Sequence, residues 1–220
     1  MPPTLYYFEA SPAVRSVLLT SKALGMNLIL EPVNILKNEH LRPDYLKINP
    51  QHTVPTLVDE DGFSIWDSHA INAYLIGKYG KDDSLYPRDP KERAVVDQRL
   101  HFDSGILFAK LDPITKEIWF GESKSITENH VAAIKEAYSF LETFLSIENE
   151  SYIAGNSLTI ADFSLIASVT TMEMFVPICP QLYPKLTAWI QRIESLPYYN
   201  SANQNGLNVY AEEVKKRCGR

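Results

Sequence analysis

The chain has 220 residues, enough for one large domain or two small ones that each bury a core. Its 27 acidic residues outnumber the 21 Lys and Arg, for a net charge of −6 with the five histidines neutral, which argues against a nucleic-acid partner. Cys179 and Cys218 cannot make a disulfide framework and have no metal-ligand spacing, so a reducing compartment is expected. Met1-Pro2-Pro3-Thr4 lacks the basic start of a signal peptide. No apolar stretch of about 18 residues is present to span a bilayer, so the expectation is a soluble, cytosolic protein with no membrane partner.

In chain order, residues 4–8 form a short β-rich run. Residues 12–24 then place Val14, Val17, Leu18 and Leu24 at helical spacing before Gly25 stops the helix. Residues 28–33 read as the next strand, so the opening is a βαβ unit with a parallel pair and a right-handed crossover. A short helix is expected over 43–48, and 55–58 with 63–66 should make an antiparallel hairpin around Asp59-Glu60-Asp61-Gly62. Residues 67–79 close the unit as a helix whose apolar face carries Ala70, Ile71, Tyr74 and Leu75. The order βαβαββα over residues 1–80 is thioredoxin-like.

The polar, proline-punctuated segment 81–90 reads as a linker. Residues 91–220 are predicted to be all helical: a long helix over 91–120 bent near Pro113, a second over 126–147, and further helices over 159–174, 183–196 and 198–214. In the second, Val131, Ile134, Tyr138, Leu141 and Leu145 form the buried stripe. Thr159 and Asp162 have the spacing of a capping box, each able to satisfy the other's backbone amide. The basic run Lys215-Lys216-Arg217 reads as a solvated helix end favoured by the macrodipole.

Two segments carry chemistry. In Asn49-Pro50-Gln51-His52-Thr53-Val54-Pro55-Thr56-Leu57, a cis Val54–Pro55 bond would turn the Val54 amide and carbonyl outward, free to pair with an extended peptide. In Asp67-Ser68-His69-Ala70-Ile71, an acid and a hydroxyl stand at a helix start, where unsatisfied N–H groups welcome a carboxylate. Together they describe a holder for a small peptide with an amine and carboxylates, which fits glutathione. With Ser11-Pro12, His40 and Lys78-Tyr79-Gly80, these motifs resemble a cytosolic glutathione transferase of the insect epsilon class, with the delta class next nearest. The resemblance spans nearly the whole chain.

That resemblance implies a site. Ser11 would hydrogen-bond the glutathione sulfur, while Ser before Pro also reads as an ordinary helix start. Lowering a thiol pKa from near 8.5 by about two units needs roughly 2.7 kcal/mol. A hydroxyl donating to a charged acceptor supplies about 1.5–3 kcal/mol and a helix N-terminus about 0.3–1, so no cation is required. Tyr6 is the other candidate donor, but strand alternation suits it to packing. His40 and His52 would meet the glycine end of glutathione, and the Thr53, Val54 and Pro55 segment its backbone. Ser68 would take the γ-glutamyl carboxylate and Asp67 the ammonium, although both also read as helix caps. No histidine spacing suggests a metal.

An apolar electrophile would sit among Leu36, Phe108, Leu111, Thr115, Trp119, Phe120, Leu207 and Tyr210, about half of which serve equally well as core. Ala13 replaces a second proline common in relatives. Asp112 stands where some have an arginine, and would repel anionic substrates. The implied activity is conjugation of the glutathione thiolate to hydrophobic electrophiles, including elimination from organochlorines, by a homodimer; the alternatives are a hydrophobic-ligand carrier and a glutathione-dependent peroxidase.

Overall fold

The computed structural model describes residues 2–147 and 150–218, so the outermost bounds of the expected domains, 1 and 220, lie outside the described residues. Strand β1 (Thr4–Tyr7) pairs in parallel with β2 (Ile29–Pro32) and antiparallel with β3 (Thr56–Val58), which pairs antiparallel with β4 (Ser64–Trp66). The sheet order is β2-β1-β3-β4. Alternation sends Leu5 and Leu57 to one face, where they pack on Val17 of α1 (Pro12–Ala23) and on Ile71 and Leu75 of α3 (Ser68–Tyr79). Tyr6 and Thr56 point to the other face and meet Tyr45 of α2 (Pro43–Ile48): the Tyr6 and Tyr45 rings stand edge-on at 5.8 Å, and the Tyr45 hydroxyl lies 2.9 Å from Thr56 Oγ1. Tyr6 is thus a packing residue.

Asp59 closes the β3–β4 turn with its side chain fully buried. It accepts from Lys78 Nζ at 2.7 Å, from the Glu60 amide at 2.7 Å, and from the hydroxyls of Tyr74 and Tyr79. Burial alone would raise the Asp59 pKa, but these donors overcome it and hold the carboxyl far below its usual range. A depressed folded pKa stabilises above the unfolded value near 3.9, and that stability is lost as pH falls. Asp59→Asn is therefore expected to lower the urea midpoint at pH 7, with the gap to the parent protein narrowing once pH drops below about 4; a gap unchanged on acidification would contradict this.

Segment 81–89 has no regular structure but is firmly docked. The Arg93 guanidinium lies 3.4 Å from the Tyr86 ring centroid and donates to the carbonyls of Pro87 and Tyr86 at 2.6 and 2.9 Å, while the Leu85 carbonyl accepts from the Ile160 amide at 2.9 Å. The helical part comprises α4 (Pro90–Phe102), α5 (Phe108–Trp119), α6 (Glu128–Ser146), α7 (Ile160–Glu173), α8 (Pro184–Glu194) and α9 (Asn205–Cys218). Helix α7 is buried on every side from Ile160 to Met172 and packs against α1. This joins the two halves.

The long helix expected over 91–120 is interrupted, and Pro113 is not the cause. A wide π-helical turn, Asp103–Leu107, separates α4 from α5, whereas Pro113 sits within α5. The widened turn brings both Asp103 and Leu107 inward. A second π-helical turn, Asn200–Gln204, corrects the uniform helix expected over 198–214, and it buries Ala202 and Asn203. Asn203 Oδ1 accepts at 2.6 Å from the guanidinium of Arg15, a fully buried residue of α1. Arg15 also donates to the Ala167 carbonyl at 3.1 Å and to Thr171, and no carboxylate pairs with it among the described residues. Burial pushes its pKa down to about 10. Beside it, Gly206 of α9 lies so close to the first turn that a Cβ there would collide with the Glu9 carbonyl oxygen and stand 2.8 Å from Arg15 Cδ.

Candidate active site

A cavity of about 500 Å³ opens between the two halves, reached by the start of α1, the 49–55 loop, the start of α3 and one face of the α4–α5 helix. Ser11 stands at its edge as the N-cap of α1, its amide bonded to the Phe8 carbonyl at 2.9 Å and its Oγ accepting from the Val14 amide at 3.4 Å. Among the described residues nothing accepts the Ser11 hydroxyl hydrogen, so that proton is available to a ligand. The capping and donor readings are compatible, because the cap uses a lone pair and the donor uses the hydrogen.

Across the cavity, the loop before β3 is held from behind. The Thr53 carbonyl accepts from Asn49 Nδ2 at 2.9 Å and from the Tyr45 hydroxyl, and Asn49 also donates to Thr56 Oγ1 at 2.8 Å. The Val54–Pro55 bond is cis, and the ladder begins only at Thr56, which leaves Val54 outside it. His52 takes a left-handed φ of +49°. Its ring lies 6.0 Å from that of His40, whose Nδ1 is buried without a partner. Burial, and then the neighbouring His52, lower the His40 pKa.

Asp67, with φ of +73°, caps α3 through Oδ1, which accepts from the amides of His69 and Ala70 at 2.9 and 3.2 Å. Ser68 follows as the first helical residue and lines the cavity. His69 Nε2 meets Asp103 Oδ2 at 2.9 Å within the same cavity, and the other Asp103 oxygen is buried without a partner. Burial pulls the His69 pKa down, but the hydrogen bond and charge of Asp103, helped by Asp67, outweigh it and leave the ring's pKa raised. Sequence reasoning missed this pair. His69 stood in the quoted motif, but only the π-helical turn turns Asp103 toward it.

Ser11, His40, His52, Thr53, Val54, Pro55, Asp67, Ser68, Phe108, Leu111, Thr115, Trp119 and Phe120 all line this one cavity. Leu36, Leu207 and Tyr210 do not, so their expected place on its wall is corrected. The 3₁₀ turn at Ile35–Lys37 presents Ile35 to the cavity, while Leu36 packs against the main core. Tyr210 is fully buried behind the wall, its hydroxyl 2.7 Å from Thr115 Oγ1 and its ring 4.8 Å from that of Trp119. Leu207 lies on the same helix, half-buried and away from the opening. Among the described residues no cluster of three or more His, Cys, Asp or Glu could hold a metal ion, and no helix is long and apolar enough to cross a membrane.

Comparison with known proteins places this geometry. Residues 5–83 match the glutathione S-transferase N-terminal domain and residues 97–197 the glutathione S-transferase C-terminal domain. The chain is 45% identical to glutathione S-transferase 1 of Manduca sexta over 97% of this chain and 98% of that protein. The chain belongs to the glutathione S-transferase family. An epsilon-class glutathione S-transferase of the housefly, Musca domestica, superposes on this transferase with a TM-score of 0.94 at 50% identity, covering 98% of each chain. A glutathione transferase homologue from Drosophila mojavensis, solved with bound glutathione, does so with a TM-score of 0.94 at 48% identity, over 98% of this chain and 97% of that one. Both expected parts, a thioredoxin-like N-terminal domain and an all-helical C-terminal domain, are therefore present in this transferase, and glutathione is the co-substrate of its family.

Asp112 lines the mouth of the transferase's cavity, but its carboxylate is paired with Lys116 Nζ at 2.6 Å. The repulsion expected from the sequence is thus largely offset, since exposed pairs are worth only about 0–1 kcal/mol. Asp112→Arg is expected to lower the KM for glutathione by less than about fivefold at low ionic strength, with the gain fading as salt screens it. A KM that does not move at low salt would show that this charge does not reach the site.

Proposed function

We propose that this transferase holds glutathione along the cavity edge and conjugates its thiolate to apolar electrophiles. In this reading the Ser11 hydroxyl donates to the sulfur, the Val54 backbone pairs the cysteinyl portion, and Ser68 with Asp67 takes the γ-glutamyl end. His40 and His52 meet the glycine carboxylate. Phe108, Leu111, Thr115, Trp119 and Phe120 form the face on which the electrophile rests. The observation that carries the reading is the uncommitted Ser11 hydrogen at the N-terminus of α1, facing the Val54–Pro55 segment across one cavity.

The two domains meet within 81–90 in this proposal, and the enzyme works as a homodimer in the cytosol. Phe63 and Phe140 are exposed aromatics on the two halves, 46% and 42% accessible, which supports an isologous contact of one half with the other half of a second copy. Light scattering is expected to give twice the 25.0 kDa chain mass; a monomer at micromolar concentration would overturn the dimer. Calorimetric titration with glutathione, run beside a halo-nitroarene conjugation assay, tests the activity. Saturable glutathione binding with thiolate absorbance and turnover is expected, whereas apolar-ligand binding without turnover would make the protein a carrier.

A further inference from the structure

A second cavity, of about 670 Å³, lies between the end of α5, the 121–127 segment, the end of α7 and α9, and it shares no lining residue with the first. Its size falls in the range of small-molecule sites, about 300–1,000 Å³. The interior is apolar, built from Ile118, Ile126, Met174, Phe175 and Val214, which four separate elements supply. Lys124 and Lys215 stand exposed at its edge, and neither has an ion-pair partner among the described residues. One acid, Glu212, shares the lining and is likewise unpaired, so the cavity carries a net single positive charge on a chain of net charge −6.

The basic end of α9 is divided between two tasks. Lys216 and Arg217 reach Glu213 at 3.9 and 3.4 Å, and Arg217 also donates to the Trp119 carbonyl at 2.6 Å. Lys215 takes part in neither contact and faces the cavity instead. A groove with an apolar interior and two uncommitted ammonium groups at its edge matches one ligand chemistry, a carboxylate on a hydrocarbon or aryl body.

We propose that this second cavity binds a small amphipathic carboxylate, its apolar body among Ile118, Ile126, Met174, Phe175 and Val214 and its carboxylate between Lys124 and Lys215. The site lies one layer behind the first. Phe175 packs edge-on against Tyr210 at 6.2 Å, and Tyr210 backs the Trp119 and Thr115 wall of the first cavity.

The test is calorimetric titration of the full chain with dodecanoate below its micellar concentration, the first cavity being filled with S-hexylglutathione. One equivalent is expected to bind, with dodecanoate favoured about tenfold or more over decyltrimethylammonium, as the lysines require. Lys215→Glu should weaken dodecanoate about tenfold without changing the melting temperature or the conjugation rate. Ala211→Trp, which fills the cavity from α9, should abolish binding. Absence of saturable binding with the first cavity filled, or binding that both variants leave unchanged, would overturn the proposal. Because the titration is run on an occupied first cavity, its failure is distinguishable from failure of the conjugation reading.

Discussion

Ser11→Ala is expected to cut kcat for halo-nitroarene conjugation by about 10- to 100-fold while changing the Kd for glutathione by less than about threefold, which is what losing one charge-assisted hydrogen bond of about 1.5–3 kcal/mol does when it forms only to the thiolate. The decisive readout is the thiol pKa of bound glutathione, followed by thiolate absorbance against pH. It should rise by about one to two units, since each unit is worth about 1.4 kcal/mol. The substitution also removes the cap of α1, at a cost near 1 kcal/mol, but the Oγ-to-Val14 distance of 3.4 Å marks that cap as weak. Ser11→Thr keeps a hydroxyl and should hold the pKa near the parent value. A bound thiol whose pKa is the same in Ser11→Ala would remove Ser11 from the mechanism.

The largest effect on stability is expected at Asp162. This fully buried carboxylate accepts from the amides of Ile153 and Thr159 at 2.9 and 2.8 Å, from Thr159 Oγ1 at 3.2 Å and from Trp189 Nε1 at 2.8 Å. It thereby ties the 151–159 segment, the start of α7 and α8 to one group. Burial pushes its pKa up, with the four donors working against the rise. Asp162→Ala strands four donors in the interior, and a loss of about 3–5 kcal/mol is expected, read from the urea midpoint. Asp162→Asn should fall between alanine and the parent, because its amide accepts with one oxygen but sets an NH₂ against the remaining donors. A loss below about 1 kcal/mol for the alanine variant would mean that water replaces the carboxylate.

The thioredoxin-like half was legible because its signals are local. Pro12 and Gly25 bound α1, the helix read over 43–48 is found over Pro43–Ile48, and the Asp59–Gly62 turn sets its hairpin. Ser11, the 52–55 loop and Asp67-Ser68 were legible for the same reason, each being a turn or cap with its own chemistry. What was hidden lies in the helical half, where a single extra residue in a turn shifts the phase of everything that faces inward. Asp103 and Asn203 both sit in such turns, and both carry polar groups to buried partners that the 3.6-residue period assigns elsewhere. Arg15 shows the complementary blind spot: a charge on an amphipathic helix reads as solvated, yet its partners come from α7 and the 200–204 turn. Tyr210 was correctly associated with Thr115 and Trp119, but spacing alone could not say that it stands behind them.

The near-contact of Gly206 with Glu9 and Arg15 has a temporal consequence. The residues proposed to grip glutathione are translated early, within the first half of synthesis, but the turn that carries Ser11 is backed by a helix that leaves the ribosome long afterwards. Until α9 arrives, the guanidinium of Arg15 lacks Asn203, and the backbone at Glu9 lacks the surface against which it is pressed. A nascent or C-terminally clipped chain therefore holds the sequence of the binding site without the buttress that seats its proposed sulfur donor, and competence arrives only with completion.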